Sequence, residues 1–211
     1  MKIAILNDTH AGVKNGSDIF LDYSERFYNN TFFPYLKENN ITKILHLGDY
    51  FEHRKYVNFK VLKRNYEHFI SKLEEYNITM DIIPGNHDVY YKNTNDINSL
   101  DEILSQYDCI QIYSKPTDIN YDGCSIMVLP WLCSENNEDF YFYYQPYMNY
   151  LSSSKIIFGV VNINNTLAFS TNSLYDIIIL FNVNDLIQNS SSAPILIFYV
   201  LYLSYLIEKV F

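Results

Sequence analysis

Three short polar motifs, each directly after an apolar run, hold the side chains best suited to chemistry. Asp8-Thr9-His10 follows Ile3 to Leu6, Gly48-Asp49 follows Ile44 to Leu47, and Gly85-Asn86-His87-Asp88 follows Met80 to Pro84. Their carboxylate, imidazole and amide groups are the oxygen and nitrogen donors that suit manganese, iron or zinc. In an extended segment side chains alternate sides, so Asp8 and His10 are expected to point the same way and hold one ion between them. Gly48 lets the backbone before Asp49 approach an ion closely, and the two carboxylate oxygens of Asp49 can bridge a pair of ions. Asn86 adds a neutral carbonyl oxygen, and His87 is expected beside the ions with Asp88 placed to orient or charge its ring. Together the motifs read as half of a dinuclear metal centre. Turn and capping roles, which Asp and Asn favour, are the alternative for each residue taken alone. Three such motifs in order argue against that alternative.

For the motifs to meet, the apolar runs before them must be neighbouring strands whose ends share one crevice, as in an open α/β sheet. Between the runs the chain shows helical periodicity, the pattern of a layered α/β fold. Leu62, Tyr66, Phe69 and Leu73 fall on one predicted helix face, and Leu100, Ile103, Leu104 and Tyr107 on another. Ser99 with Glu102 reads as a capping box starting the latter helix. Asp22 to Asn39 is expected to contain helix, kinked or split at Pro34. Asp118 to Tyr121 and Cys124 to Leu129 flank Asp122-Gly123, a turn dipeptide, and predict an antiparallel hairpin. His46 in a strand, His68 in a helix and Trp131 after Pro130 read as structural.

A chain of 211 residues allows one domain, or one domain with an appendage. Its formal charge of -9 argues against holding DNA by a broad basic surface, although bound metals supply local positive charge. Cys109, Cys124 and Cys133 lack C-x-x-C spacing, so buried free thiols are expected in place of a disulfide framework or zinc knuckle. Only four apolar residues lie between Lys2 and Asn7, too few for a signal-peptide core, which points to a cytoplasmic location. From Phe140 onward the composition changes, with five charged residues in 72 positions and no His, Arg, Trp or Cys. Ile195 to Ile207 falls short of the roughly 20 apolar residues that span a bilayer, so no membrane association is expected.

Over roughly residues 1–139 the motifs D-x-H, G-D-x-x-E and G-N-H-D stand in register with Asp8 to Lys14, Gly48 to Lys55, Tyr91-Lys92-Asn93, Asp122-Gly123-Cys124 and Leu129-Pro130-Trp131. In these features the chain resembles the calcineurin-like metallophosphoesterases, and within them the SbcD-type nuclease subunits, with those of T-even-like bacteriophages nearest. The resemblance implies an α/β fold of central β-sheets flanked by helices, incomplete toward the C-terminal end. It implies metal-dependent hydrolysis of DNA phosphodiesters, exo- or endonucleolytic, in phage recombination and double-strand-break processing. Two divalent ions, Mn2+ foremost, are the implied cofactors. Asp8 and His10 would hold the first ion, Asp49 would bridge, Asn86 would contribute to the second, and His87, with Asp88 beside it, would protonate the leaving oxygen. Arg54 and Lys55 would contact DNA phosphates. Glu52 stands where the family more often has aspartate and is expected to orient a ligand without binding an ion itself. The implied partners are DNA, an SbcC-type ABC ATPase and a second copy of the chain, in the host cytoplasm for a phage-encoded protein.

The chain departs from the family after residue 139. The later Gly-His and Gly-His-x-His motifs supply further ligands, but no histidine follows His87, and the expected place near Phe158-Gly159-Val160 carries valine. The second ion site is therefore expected to be incomplete. Residues 1–139 read as the N-terminal part of the nuclease domain, and 140–211 as an atypical apolar tail, either out of the ancestral frame or degraded. Two other functions fit the early motifs: a small-molecule metallophosphoesterase, and a non-catalytic binding subunit of an ATPase–nuclease complex.

Overall fold

The computed structural model describes residues 2–122, 124–131, 133–136 and 156–159. Four apolar runs become parallel strands, β1 (Ala4–Leu6), β2 (Lys43–His46), β3 (Thr79–Ile82) and β4 (Ile110–Ile112), hydrogen-bonded in chain order. The register sets Ala4 beside Ile44, Ile44 beside Met80 and Met80 beside Ile110. The runs are largely apolar because a parallel sheet is covered on both faces, with His46 in β2 and Asp81 in β3 as buried polar exceptions. Ala4, Leu6, Ile44, Met80 and Ile82 pack with the helices, whereas Ile3, Ile5, Leu45, Leu47 and Ile83 pack with a second sheet. Strands in chain order with right-handed crossovers bring their connecting helices to one face, which accounts for this division.

Helix α1 (Val13–Gly16) is a single turn in which Lys14 and Asn15 take left-handed backbone angles. Helices α2 (Asp18–Phe27) and α3 (Phe33–Glu38) are joined by a wide π turn, Tyr28–Phe32. Pro34, which cannot donate a backbone hydrogen bond, sits in the first turn of α3, so the helix expected over Asp22 to Asn39 changes its winding there without ending. Helices α4 (Phe59–Asn65) and α5 (Ser71–Glu75) are joined in the same way through Tyr66–Ile70. That wide turn rotates the predicted apolar stripe: Phe69 and Leu73 are buried, but Tyr66 is 42% exposed. Before α6 (Ser99–Ile103) the cap is Asn98, whose Oδ1 accepts the Asp101 amide at 2.9 Å. The capping box predicted at Ser99 thus begins one residue earlier, on a side chain at least as good at capping.

Strands β5 (Thr117–Tyr121) and β6 (Cys124–Leu129) form the predicted antiparallel hairpin, with Tyr121 opposite Cys124, and β7 (Ile156–Gly159) runs parallel to β6. Ile119, Ile126, Val128 and Trp131 join the core against the parallel sheet. Asp81, buried between the layers, accepts a hydrogen bond from the Tyr121 hydroxyl and pairs with Lys43 Nζ at 2.9 Å. The order of layers is therefore helices, parallel sheet, second sheet, an α/β fold. Cys109 and Cys133 are free thiols. No helix among the described residues is long and apolar enough to cross a membrane. Apart from β7, the expectations for 140–211 lie outside the described residues.

Candidate metal centre

Because β1, β2 and β3 run the same way, the residues that leave them emerge along one edge of the sheet. Residues 7–10 do not continue β1 as an extended segment. Asp8 and His10 have φ of 50° and 43°, and Asp49 has 52°. The expected alternation of side chains is thus replaced by a tight left-handed turn that brings Asp8 and His10 together by another route. Such angles are strained for residues with a Cβ and persist only where surrounding bonds fix them. Here the Asp8 amide donates to Gly48 O at 3.2 Å, the His10 amide to Asp49 O at 3.0 Å and the Ala11 amide to Tyr50 O at 2.7 Å.

Ligand atoms of Asp8, His10 and Asp49 lie within 4.8 Å of one another, and those of His10, Glu52 and His87 form a second group within the same limit. His10 Nε2 is 3.6 Å from Asp8 Oδ1, and the His10 and His87 rings meet edge to face at 4.8 Å. His10 Nδ1 stands 2.9 Å from Glu52 Oε2 without hydrogen-bond alignment. Glu52, read from sequence as a residue that only orients a ligand, therefore faces His10 directly. The available signal was its place three residues after Asp49, where its amide bonds Ala11 O at 3.2 Å and so sets it beside the first motif.

The third motif closes over Asp49. A Cβ on Gly85 would lie 2.2 Å from Asp49 Oδ1 and 2.3 Å from its amide nitrogen, so only glycine permits this approach. The His87 amide donates to Asp49 Oδ1 at 2.8 Å, which anchors the turn carrying Asn86. Asn86 Oδ1 is buried with no hydrogen-bond partner. A buried carbonyl oxygen left in that state is destabilising, and a cation would satisfy it.

The role expected for Asp88 is corrected by its surroundings. Its carboxylate is fully buried and accepts the amides of Gly85 at 2.9 Å, Phe51 at 3.1 Å and Tyr50 at 3.1 Å. It clamps the second and third motifs together, while the ring of His87 is held through Nδ1 by Glu52 O at 2.7 Å. Burial, with the nearby Asp49 charge, pushes the Asp88 carboxyl up to about 7. His46 braces the first two motifs, as its structural reading expected: Nδ1 accepts the Gly48 amide at 3.2 Å and Nε2 meets Thr9 Oγ1 at 3.0 Å. Complete burial brings its pKa down to about 3, which keeps it neutral with the proton on Nε2.

Electrostatically the centre asks for positive charge. Burial opposes a charged His10, yet Asp8, Glu52 and Asp49 outweigh it and raise the imidazole to about 10. Burial raises the Asp49 carboxyl, and His10 holds Glu52 low. Carboxylates gathered round one imidazole, with an unpartnered amide oxygen on Asn86, form a donor set that fits divalent ions. Burial lowers the pKa of the Arg54 guanidinium and is the larger effect, although the group lies close enough to Asp49 and Asp88 to feel their charge. Arg54 is half-buried with Nη1 unpartnered, and exposed Lys55 lies 5.3 Å over the Tyr90 ring.

Among known proteins, exonuclease subunit 1 of Enterobacteria phage T4 is 37% identical over 140 residues, covering 64% of this chain and 40% of the relative. The chain thus spans about 40% of that relative's length. A solved structure of a protein of unknown function from Aquifex aeolicus covers 69% of the chain at 19% identity, and the chain covers 75% of it, but the TM-score of 0.34 carries no argument about the fold. The model of the calcineurin-like phosphoesterases matches residues 1–199, a span that takes in all three motifs meeting at the sheet edge. The chain belongs to the calcineurin-like phosphoesterase family.

Proposed function

We propose that this chain hydrolyses phosphodiester bonds in DNA with the help of two divalent ions, Mn2+ foremost. The observation that carries the reading is the convergence of Asp8, His10 and Asp49 within 4.8 Å at one sheet edge. The identity to a phage exonuclease subunit points the substrate toward DNA. When bound, the ions supply Lewis-acid polarisation of the phosphate and a more acidic water. Asp8, His10 and Asp49 would hold the ions, and Asn86 would offer them its unpartnered oxygen. Glu52 fixes His10 from the other side of its ring. His87, tied through Nδ1 to the Glu52 carbonyl, keeps Nε2 for the proton passed to the leaving oxygen. Arg54 and Lys55 steady a DNA phosphate beside the centre. Asp88 acts by positioning Gly85 and the 50–51 backbone.

As the relative is named a subunit, we extend the reading to an SbcC-type ABC ATPase partner and to a second copy of this chain, working in the host cytoplasm. Manganese-dependent release of nucleotides from linear DNA, absent in Asp49→Asn, tests the activity. Equal turnover of an aryl phosphate with no action on DNA would replace it with a small-molecule phosphoesterase. One observation favours a non-catalytic binding subunit: no histidine follows His87, so the second ion has few ligands of this chain. Capture of the ATPase by a chain that never cleaves DNA would establish that role.

A further inference from the structure

A cavity of about 230 Å³ opens on the two segments that carry His10 and Glu52, lined by Ala11, Phe51, His53, Tyr56, Val57 and Val61 among others. The His53 and Tyr56 rings stack at 4.7 Å and 25°, and Tyr56 remains 60% exposed. His53 Nε2 is buried without a hydrogen-bond partner. This cavity is built from the same pair of segments as the centre. Ala11 follows His10, Phe51 and His53 bracket Glu52, and Ala11 pairs with Phe51 in a parallel bridge. Consecutive Cα atoms are about 3.8 Å apart, so along the backbone the cavity begins one residue step from His10 on one segment and from Glu52, which faces His10, on the other. It is smaller than the roughly 300–1,000 Å³ of sites for drug-sized ligands, a size that suits one flat ring system. Apolar walls, a stacked aromatic pair at the edge and an unsatisfied ring nitrogen match a heteroaromatic ring with a polar rim.

We propose that this cavity takes the base of the nucleotide next to the scissile phosphate, so that the strand is engaged as unpaired DNA. A base seated there leaves the stack of a duplex, which is easiest for single strands and frayed ends. The inference rests on the reading of the chain as a DNA phosphodiesterase, and deepens it by naming the form of the substrate.

The test uses the full chain carrying His87→Ala, so that bound DNA stays intact in manganese. Fluorescence anisotropy compares a single-stranded oligothymidylate with an abasic strand of the same length and charge. The natural strand should bind about five- to a hundredfold more tightly, the range expected for stacking of a base on an aromatic ring. Tyr56→Ala, a change at an exposed position, and Val57→Trp, which fills the cavity, should each remove most of that difference. Thermal unfolding of both variants shows that they fold. A preference that survives in both folded variants, or is missing from the parent, overturns the inference while DNA binding stands. Failure of both strands to bind would overturn the DNA reading and the inference together.

Discussion

Replacing Gly85 by alanine should damage the centre without strain in the backbone, which makes it a clean steric probe. Gly85 is not among the residues with positive φ, so an L side chain suits its own conformation. The added methyl, however, would stand 2.2 Å from Asp49 Oδ1, 2.3 Å from Asp49 N and 2.9 Å from Asp49 Cγ. None of these atoms is the free end of a flexible chain: the amide is backbone, and Oδ1 is held by the His87 amide at 2.8 Å. Either the third motif retreats or Asp49 turns away. Overpacking by one methyl costs about 1–3 kcal/mol, and loss of a hydrogen bond to a carboxylate about 1.5–3 kcal/mol. Together these come to about 2.5–6 kcal/mol, which corresponds to a fall in Tm of roughly 5–24 °C for a chain of this size. Manganese affinity should fall at least about tenfold with it, since Asp49 is one of the carboxylates proposed to hold the ions. Thermal unfolding in chelator and titration calorimetry with manganese measure the two effects separately. An alanine variant within about 0.5 kcal/mol of the parent, with unchanged manganese binding, would refute the close packing of Gly85 on Asp49.

Other expectations concern single side chains. His87→Ala should lower turnover by about 10²- to 10⁴-fold while calorimetry still finds manganese bound; an equal loss of binding would make His87 a ligand instead. Glu52→Gln should weaken manganese binding by about 10- to 100-fold through loss of the charge facing His10, and unchanged affinity would contradict that pairing. Two buried groups should give stability opposite responses to pH. His46, near 3 folded against 6.5 unfolded, weakens the fold as pH drops below 6.5, whereas Asp88, near 7 against 3.8, weakens it as pH climbs above 3.8. In urea unfolding with chelator, the stability of His46→Gln relative to the parent should be about 2 kcal/mol better at pH 4.5 than at 6.5, and that of Asp88→Asn worse by a similar amount. Parallel shifts in the two variants would show that one of the buried groups has been misjudged.

The parallel strands and the hairpin were legible because their signals are local: apolar runs of strand length, and Asp122-Gly123 between two of them. The edge at which the motifs meet followed from strand direction alone. The backbone at Asp8 and His10 was not legible, because both types tolerate left-handed angles without requiring them, and here those angles are fixed by carbonyls of Gly48 and Asp49 about forty residues away. The same holds for Asp88. Its neighbour His87 suggested a carboxylate–imidazole pair, but the amides of Tyr50 and Phe51 lie closer in space than sequence distance implies, and they take both oxygens. The π turns also escaped periodicity, which assumes a constant rotation per residue; Tyr66 is outside for that reason.

Acidity and the polyanionic substrate proposed for the chain can be reconciled at the centre itself. A chain of formal charge -9 offers no broad attraction to the DNA proposed as its substrate, and within the described residues Asp8, Asp49 and Glu52 add negative charge at the candidate centre. That arrangement makes sense only when cations are part of the binding surface, because the carboxylates that would repel a phosphate are then spent on holding the ions that attract it. Arg54 and Lys55, the two cationic side chains beside Glu52, are too few to supply a broad electrostatic footprint. On the proposed reading, contact with a strand would come largely from the ions and from uncharged surfaces, and the aromatic cavity next to the His10 segment is such a surface, one whose attraction for a base would not depend on the sign of the protein's charge.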